Sequence, residues 1–338
     1  MTASAPSWRE IFAGGSPESE KRMFDAFSKD VRKIHDRVAY KTGRSELRTL
    51  HAKILVGVRN AALHVDHDLP IEFAAGYFKP GECFSITARF SNASPMCLGD
   101  ARKDMRGVVL RIDLRNGRCH DLLMTSYQVS HARDARQFIE VAKIATGPRA
   151  LILPRLVYKL GLAETRRIIA NIKAGSRAVE SIASLQFWSR AALLWGDAGP
   201  IRYTLRPFLA PEGKKPNGKD PDYLGNEFAE RLLRREVQYR LAFQRFVDEV
   251  STPIEDGAVE WRESESPYVD VATLVIPQQD LGSDEARAVK AAVDGLAFNP
   301  WNCPAPFRPL GNLNRARGPV YAASAAGWLG SSQRPRNL

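Results

Sequence analysis

The chain has 338 residues, of which 44% are hydrophobic and 26% charged. This composition is typical of a globular protein and excludes a disordered, a collagen-like or a coiled-coil chain. The 49 lysines and arginines outnumber the 38 aspartates and glutamates, which gives a net charge of +11. A basic chain has three candidate partners: nucleic acid, an anionic membrane surface, and anionic small molecules.

The first part of the chain predicts one or two amphipathic helices followed by strands. Residues 16–42 carry apolar side chains at helical spacing, and from His51 onwards the period changes towards two. Arg115-Asn116-Gly117 is typical of a hairpin turn between two of these strands. The strands predicted here are 51–58, 83–91, 106–114 and 119–124.

The rest of the chain predicts helices that alternate with further strands. The helices are 135–145, a proline-broken stretch around Pro148 and Pro154, 163–195, 228–250, 284–296 and 319–329. The strands are 201–208, 259–261 and 268–276. This order favours an α+β protein, a mostly antiparallel β-domain decorated by helices. We predict an N-terminal helical segment (1–45), one β-domain (46–330) with a helical insertion at about 132–198, and a tail (331–338).

The cysteines and the N-terminus predict a cytoplasmic protein. The four cysteines are scattered and form no CxxC pair, so we expect reduced thiols. The first residues contain no apolar segment of signal-peptide length, and the chain has no run of about 18 apolar residues. Peripheral attachment to the inner membrane surface is the alternative.

Three short segments carry residues that can do chemistry together. In Arg48-Thr49-Leu50-His51-Ala52-Lys53 the histidine opens the first apolar strand. Arg89-Phe90-Ser91 ends the second strand, and Arg317-Gly318-Pro319-Val320-Tyr321 lies near the C-terminus. Asp104-Met105-Arg106-Gly107 and the run from Asp121 to Phe138 lie between them. In order and spacing, the set resembles the haem catalase family.

The resemblance implies a fold, a cofactor and a role for each residue. The fold would be an antiparallel eight-stranded β-barrel with helical insertions and terminal helices, and the cofactor haem b. His51 would be the catalytic distal base, with Ser91 bonded to it and Thr125 beside the bound peroxide. The residues expected to bind the haem are Arg48 and Arg89 on its propionates, Phe138 packed near it, and Tyr321, supported by Arg317, as the ligand of its iron.

The proposed chemistry also has a physical basis in these residues. A free tyrosine has a pKa of about 10, so a phenolate ligand needs a neighbouring cation. Arg317 precedes Tyr321 by one helical turn and can reach its oxygen, and Pro319 suits a helix that starts there. A neutral imidazole at His51 can move a proton between the two oxygens of a peroxide. The alternatives are a surface arginine–tyrosine pair and a packed core histidine.

The sequence departs from the family at several positions. Thr125 stands where the family has a distal asparagine, which weighs against efficient oxidation of a second hydrogen peroxide. Ile54 replaces a small glycine, and Trp328 stands where a third haem-binding arginine is expected. The chain ends soon after Trp328, so we expect a minimal relative without the family's C-terminal region, and a monomer or homodimer.

The sequence therefore predicts a haem-dependent peroxidase or weak catalase that reduces hydrogen peroxide or organic hydroperoxides through an oxyferryl intermediate, with an unknown organic electron donor. Two alternatives stay open: an enzyme that rearranges fatty-acid hydroperoxides, as allene oxide synthases do, and a haem-binding protein without turnover. A nucleic-acid partner is not expected, because no helix-turn-helix, zinc-finger or RNA-binding pattern occurs.

Part of the positive charge is concentrated in residues 148–177, where seven lysines and arginines face a single acid, Glu164, among many aliphatic residues. We expect a helical insertion whose apolar face packs on the barrel and whose charges face water. The alternative is a basic amphipathic stretch that lies on an anionic membrane surface. Such contact would suit lipid hydroperoxides as substrates.

Overall fold

The computed structural model describes residues 7–43, 48–212 and 218–328. The predicted boundary at residue 45 and the predicted tail 331–338 lie outside the described residues. The helices in these ranges are α1 (Pro17–Thr42), α2 (Ala135–Ala145), α3 (Arg149–Leu160), α4 (Leu162–Gly175), α5 (Tyr223–Arg234), α6 (Asp284–Asp294) and α7 (Asn312–Trp328). The strands are β1 (Ile54–Val65), β2 (Cys83–Asn92), β3 (Arg106–Asp113), β4 (Cys119–Thr125), β5 (Phe187–Trp188), β6 (Leu193–Leu194), β7 (Pro200–Pro207), β8 (Val237–Arg245) and β9 (Val269–Ile276).

Eight of the described strands form a closed antiparallel barrel. They pair in the order β1-β2-β3-β4-β5-β7-β8-β9, and β9 pairs back onto β1. The short β6 pairs with β7 on the same side as β5. Closure leaves no free edge strand in the ring. The predicted α+β fold, an eight-stranded antiparallel barrel with helical insertions and terminal helices, is confirmed.

The inside of the barrel is a packed aromatic core. Alternate residues of each strand point inward, and Phe90, Phe187 and Tyr239 from three different strands form ring contacts with centroids 5.9 to 6.4 Å apart. These rings are fully buried or nearly so. Because side chains fill the barrel, a ligand site must lie outside it.

Helices α1, α2 and α7 form a layer against the outer face of the barrel. Phe24 and Val31 of α1, Ile139 of α2 and Ala316 of α7 belong to one buried apolar cluster. α1 begins where the side chain of Ser16 accepts a hydrogen bond from the backbone N–H of Ser19 and so caps the helix. Among the described helices, none is long and apolar enough to cross a bilayer.

Three predicted elements of the second half are wrong. The helix over 228–250 is instead the end of α5 followed by β8, because Val237, Tyr239, Leu241 and Phe243 alternate at period two and fill the barrel. The helix over 163–195 ends at Gly175, and the residues after it form turns and the short strands β5 and β6. The strand over 259–261 is irregular chain.

The predicted first residues of one strand and one helix are also wrong. His51 does not open a strand: it lies in a bend with φ of 57°, and β1 begins at Ile54. Pro319 does not start a helix, because α7 begins at Asn312, whose backbone N–H donates to the Glu255 carboxylate at 2.6 Å. That carboxylate satisfies a donor that is otherwise free at a helix start.

Candidate active site

A cavity of about 360 Å³ lies between the outer face of β2, β3 and β4 and the helices α1, α2 and α7. Its size falls in the range of small-molecule sites, and its wall is mostly apolar, as in such sites. All eight residues that the sequence analysis singled out line it. They are Arg48, His51, Arg89, Ser91, Thr125, Phe138, Arg317 and Tyr321.

The strands place three small residues side by side on the cavity face. Ser91 of β2 pairs with Gly107 of β3, and Gly107 pairs with Thr125 of β4. Paired residues of neighbouring strands point to the same side of a sheet. The glycine at the centre of this row leaves space for a side chain from elsewhere, and the imidazole of His51 fills that space.

His51 is held at its backbone and at its ring. Its N–H donates to the carbonyl of Ala93 at 3.1 Å, and its own carbonyl accepts from Arg89 at 2.8 Å. Its Nδ1 lies 3.1 Å from the hydroxyl oxygen of Ser91. The positive φ of His51 is a conformation that non-glycine residues rarely adopt, and such strain clusters at functional sites. When Nδ1 carries the ring proton, Nε2 keeps its lone pair and can act as a base.

The surroundings of His51 keep its ring neutral. Burial, reinforced by the positive charges of Arg89, Arg190, Arg317 and Arg48, lowers the pKa of His51 to about 3. Each of these causes disfavours the imidazolium. The ring is therefore available to accept a proton at neutral pH.

Tyr321 and Arg317 lie one turn apart on α7 and are bonded to each other. Arg317 donates to the phenol oxygen from Nε at 3.1 Å and from Nη2 at 2.9 Å, and its Nη1 donates to Asn314 at 2.9 Å. Two hydrogen bonds from a cation favour negative charge on the oxygen that accepts them. This pair lines the cavity and is not a surface pair.

Arg48 and Arg89 line the cavity, and both have partners within the chain. Arg89 donates to the carboxylate of Asp294 at 2.8 Å. Arg48 donates to the carbonyls of Asp294 at 2.5 Å and Leu296 at 2.6 Å, and its guanidinium stacks on the ring of Trp328 at 4.1 Å. The Nε of Arg48 remains buried and unbonded. Asp294, at the end of α6, was missed because nothing near it in the sequence connects it to either arginine.

Sequence reasoning also missed two cavity residues. Arg190 lies in the chain between β5 and β6, and no motif surrounds it. His131, taken from the sequence as a structural or surface residue, lines the cavity with its ring centroid 4.9 Å from that of Phe138. Burial, with the charges of Arg190 and Arg167, lowers the pKa of His131 to about 3. Its position two residues before Arg133, inside the run that resembles the family, was the available signal.

The described residues contain no cluster of three or more His, Cys, Asp or Glu side chains that could hold a bare metal ion. All four cysteines are free thiols, as predicted. His120 is buried as well, but its Nδ1 lies 2.6 Å from the hydroxyl of Tyr77 and it does not line the cavity.

The solved structures that are similar to this chain include three catalases. A fungal catalase has a TM-score of 0.67 at 16% identity and matches 87% of this chain and 62% of its own. Catalase A from Saccharomyces cerevisiae has a TM-score of 0.67 at 15% identity, with 84% and 61% covered. A bacterial catalase has a TM-score of 0.64 at 17% identity, with 98% and 66% covered.

These similarities establish a catalase-like fold. The chain spans less than two thirds of the length of each of the three catalases. No family model matches the chain, and no curated protein matches it. A fold alone does not assign an activity, so the activity must be argued from the cavity.

Proposed function

We propose that this protein is a haem-dependent peroxidase or weak catalase that acts on peroxides. The observation that supports this best is a pairing across one cavity. A neutral, oriented histidine, His51, and a tyrosine whose oxygen accepts two hydrogen bonds from a guanidinium, Tyr321, line the same apolar space. The first suits proton transfer, and the second suits an anionic ligand of ferric iron.

The cavity wall is chemically suited to haem. None of the described residues that line it is an aspartate or a glutamate, whereas four are arginines: Arg48, Arg89, Arg190 and Arg317. Arg48 and Arg190 each keep a buried Nε that makes no hydrogen bond. A largely apolar cavity with unsatisfied guanidinium donors fits a flat apolar group that carries carboxylates. A porphyrin brings its own equatorial iron ligands, so Tyr321 alone suffices as the protein's ligand.

In this proposal each cavity residue has a separate role in binding the haem or in proton transfer. A bound haem would supply the iron that binds and activates the peroxide. His51 takes a proton from one peroxide oxygen and delivers it to the other, which leaves as water or an alcohol. Ser91 fixes the ring of His51, and Thr125, in the same row of paired residues, lines the cavity with a second hydroxyl. Arg317 supports Tyr321, and Phe138 packs along the cavity.

The proposed substrates include organic and fatty-acid hydroperoxides. Apolar side chains from α1, α2 and α7 line the cavity, which suits an alkyl chain. An organic donor of unidentified structure returns the enzyme to rest. The alternative activity, rearrangement of a fatty-acid hydroperoxide, uses the same histidine and tyrosine and differs in its product. A haem-binding protein without turnover is the third candidate. We further propose a cytoplasmic monomer or homodimer.

Spectroscopy of the haem-reconstituted protein tests the proposal. We expect a Soret band with high-spin ferric features, which the Tyr321→Ala variant loses. His51→Ala should keep the band and lose turnover. Absence of a Soret band after reconstitution would overturn the haem proposal, and an unchanged turnover in His51→Ala would overturn the role of the histidine.

Product analysis separates the candidate activities. Peroxidase activity consumes a donor and gives its oxidised form together with water or an alcohol, whereas an allene oxide synthase reaction consumes no donor and converts the hydroperoxide to an epoxide with loss of water. Turnover of a fatty-acid hydroperoxide no faster than that of free haem would exclude lipid hydroperoxides as substrates.

A further inference from the structure

Arg190 is a cation enclosed in the cavity wall, and no carboxylate of the described residues pairs with it. Its Nε is buried and makes no hydrogen bond. Its Nη1 has only two long contacts, with Thr125 Oγ1 at 3.4 Å and with Met105 Sδ at 4.0 Å. Burial lowers the pKa of Arg190 to about 10, still well above neutrality, so the guanidinium keeps its charge. A buried charge without a partner weakens the fold.

The other cavity arginines are engaged within the described chain. Arg317 bonds Tyr321, and Arg89 bonds Asp294. Arg48 donates to two carbonyls and lies 3.7 Å from the same aspartate. Arg190 therefore differs from them, because no described carboxylate or carbonyl accepts from it.

The backbone of Arg190 is strained as well. Its φ is 62°, in the left-handed region that disfavours a residue with a side chain. Neighbouring Ser189 and Ala191 also line the cavity, so this conformation belongs to the wall itself. A strained backbone conformation persists only where the surrounding structure enforces it, and such residues are common at ligand-binding sites.

We propose that Arg190 binds the carboxylate of the molecule that occupies the cavity. A guanidinium matches a carboxylate in geometry and charge, and the apolar wall suits a ligand that is otherwise hydrophobic. Two molecules offer such a carboxylate: a haem, through a propionate, and a fatty-acid substrate. The inference rests on the proposed function for the identity of these two ligands, and the experiment separates them.

The test compares Arg190→Gln and Arg190→Lys with Arg155→Gln, which removes an exposed arginine of α3. One arm titrates protohaem against haem dimethyl ester, which lacks free propionates, and follows the Soret band. The other arm titrates linoleate against linoleyl alcohol into the haem-free protein by calorimetry. We expect Arg190→Gln to weaken one carboxylate probe about 10- to 100-fold and its uncharged partner less than about twofold. Arg190→Lys should retain part of the affinity.

Each outcome has a distinct meaning. A loss confined to protohaem assigns Arg190 to a propionate, and a loss confined to linoleate assigns it to the substrate. Equal losses for the charged and uncharged probes, or none in either arm, overturn the inference. If no haem binds, the proposed function fails, but the linoleate arm still tests Arg190. Without ligand, the Tm of Arg190→Gln should equal or exceed that of the wild type, since an unpaired buried charge is removed.

A separate observation concerns helices α3 and α4, which expose an unusual amount of apolar surface. Leu156 and Ile168 pack on Val141 and Ile144 of α2. Even so, six of the fifteen large apolar side chains that are exposed in the described chain lie within residues 151–172. They are Leu151, Leu153, Tyr158, Leu162, Ile169 and Ile172. We call these six residues the apolar surface.

Positive charges lie among the same exposed positions. Arg155 and Lys159 are exposed on α3, and Arg166 and Lys173 on α4. At helical spacing, Leu162, Arg166, Ile169 and Lys173 fall on one side of α4. The one acid of this segment, Glu164, is already bonded to Arg133 and Arg167. Apolar side chains surrounded by unopposed cations match the surface of an anionic bilayer.

Helix α4, which carries part of the apolar surface, is hydrogen-bonded to the cavity wall. Arg167 of α4 donates to the carbonyl of His131 at 3.2 Å, and Asn171 donates to that of Ser130 at 3.1 Å. Both of these loop residues line the cavity. We propose that α3 and α4 dock on an anionic membrane through the apolar surface, which would bring a lipid substrate next to the cavity.

Vesicle co-sedimentation tests the docking. The probes are phosphatidylcholine vesicles with and without about 30 mol% phosphatidylglycerol. We expect binding to the anionic vesicles only, and about a tenfold loss in Leu153→Ser/Ile169→Ser and in Arg155→Glu/Arg166→Glu. Ile71→Ser, which removes an isolated side chain that is 84% exposed, is the matched control and should bind as the wild type does.

Two outcomes would overturn the docking proposal. One is equal binding by the wild type and both double variants. The other is a dimer, seen by sedimentation velocity, that Leu153→Ser/Ile169→Ser dissociates, because the apolar surface would then be covered by a second copy of the chain.

Discussion

The imidazole of His51 occupies the space above the Cα of Gly107. A Cβ at Gly107 would come within 2.6 Å of both Nδ1 and Cε1 of the ring and 3.3 Å of the Ser91 hydroxyl. Non-bonded carbon atoms do not approach other atoms this closely, so the ring of His51 and any side chain at position 107 exclude each other. The glycine is thus a condition for the hydrogen bond between His51 and Ser91.

Gly107→Ala should therefore displace His51 and reduce peroxide turnover at least about 100-fold, the scale of a lost general base. Stability should fall by about 1–3 kcal/mol because of overpacking, while haem binding through Tyr321 persists. Turnover and the Soret band of the same preparation are the measurements. Gly99→Ala is the control, since a Cβ there would lie 3.7 Å from its nearest neighbour, an ordinary contact. Full turnover in Gly107→Ala would show that the ring position is not needed.

Replacing Arg317 by glutamine should weaken haem binding about 10- to 100-fold, the usual effect of removing a residue that supports a metal ligand. The variant loses the two hydrogen bonds that Arg317 donates to the oxygen of Tyr321. Arg317→Lys, which keeps the charge but not the paired donors, should fall between the variant and the wild type. A Soret titration measures all three proteins, and equal affinities would mean that Tyr321 needs no cation.

Acid should destabilise the protein from about pH 6.5 downward. Burial lowers the pKa values of His51, His120 and His131 to about 3, so the unfolded chain takes up protons first as the pH falls. The three neutral histidines contribute their full stabilisation above pH 6.5, the pKa of a histidine in the unfolded chain. As the pH falls from there towards the folded-state pKa of about 3, the free energy of unfolding drops by up to about 1.4 kcal/mol per pH unit for each histidine. Urea unfolding between about pH 6.5 and 5, above the range of most carboxylates, measures the slope.

His131→Gln provides the internal check on this acid effect. It removes one of the three histidines whose pKa is lowered to about 3 and should reduce the slope of stability against pH by about one third, by the same linkage. A slope equal to that of the wild type would show that His131 titrates alike in the folded and unfolded chains.

Arg315→Met should cost about 3–5 kcal/mol, because it leaves a buried carboxylate without its cation. Arg315 of α7 bonds Glu20 of α1 at 2.6 Å and Glu255 at 2.9 Å, and the Glu20 side chain is only 2% exposed. Asp284→Asn is the control: it breaks an exposed ion pair with Arg287 and should change stability by less than about 1 kcal/mol. Thermal unfolding compares the two variants, and a similar, small Tm shift in both would contradict the prediction.

The sequence pattern correctly predicted those elements whose conformation depends mainly on residues close to one another in the chain. The bounds of α2, the turn at Asn116-Gly117, where both residues have positive φ, and the strands β2 to β4 agree closely with the prediction. The sequence pattern gave the wrong element where an apolar run was compatible with both a helix and a strand. Val237 to Phe243 could belong to a long helix, and only the need to close the barrel made it a strand.

The predicted site residues came from motifs far apart in the chain, and the structure brings all eight to one cavity. Their roles stay predictions until haem binding is measured. The sequence had no signal for Arg190 or Asp294, because each acquires its significance from a neighbour more than 60 positions away, as in the contacts of Arg190 with Thr125 and of Asp294 with Arg89.

By itself, the sequence determined which chemical groups are available: the histidine, the tyrosine with its arginine one turn before, and an excess of cations. Tertiary structure alone decided which of the cavity arginines outside α7 have hydrogen-bond acceptors. Arg48 and Arg89 meet acceptors supplied by distant segments, while Arg190 meets no described carboxylate or carbonyl and has only long contacts with Thr125 and Met105. Charge is a property of composition, but pairing depends on distances that exist only after the barrel closes and α7 packs against it.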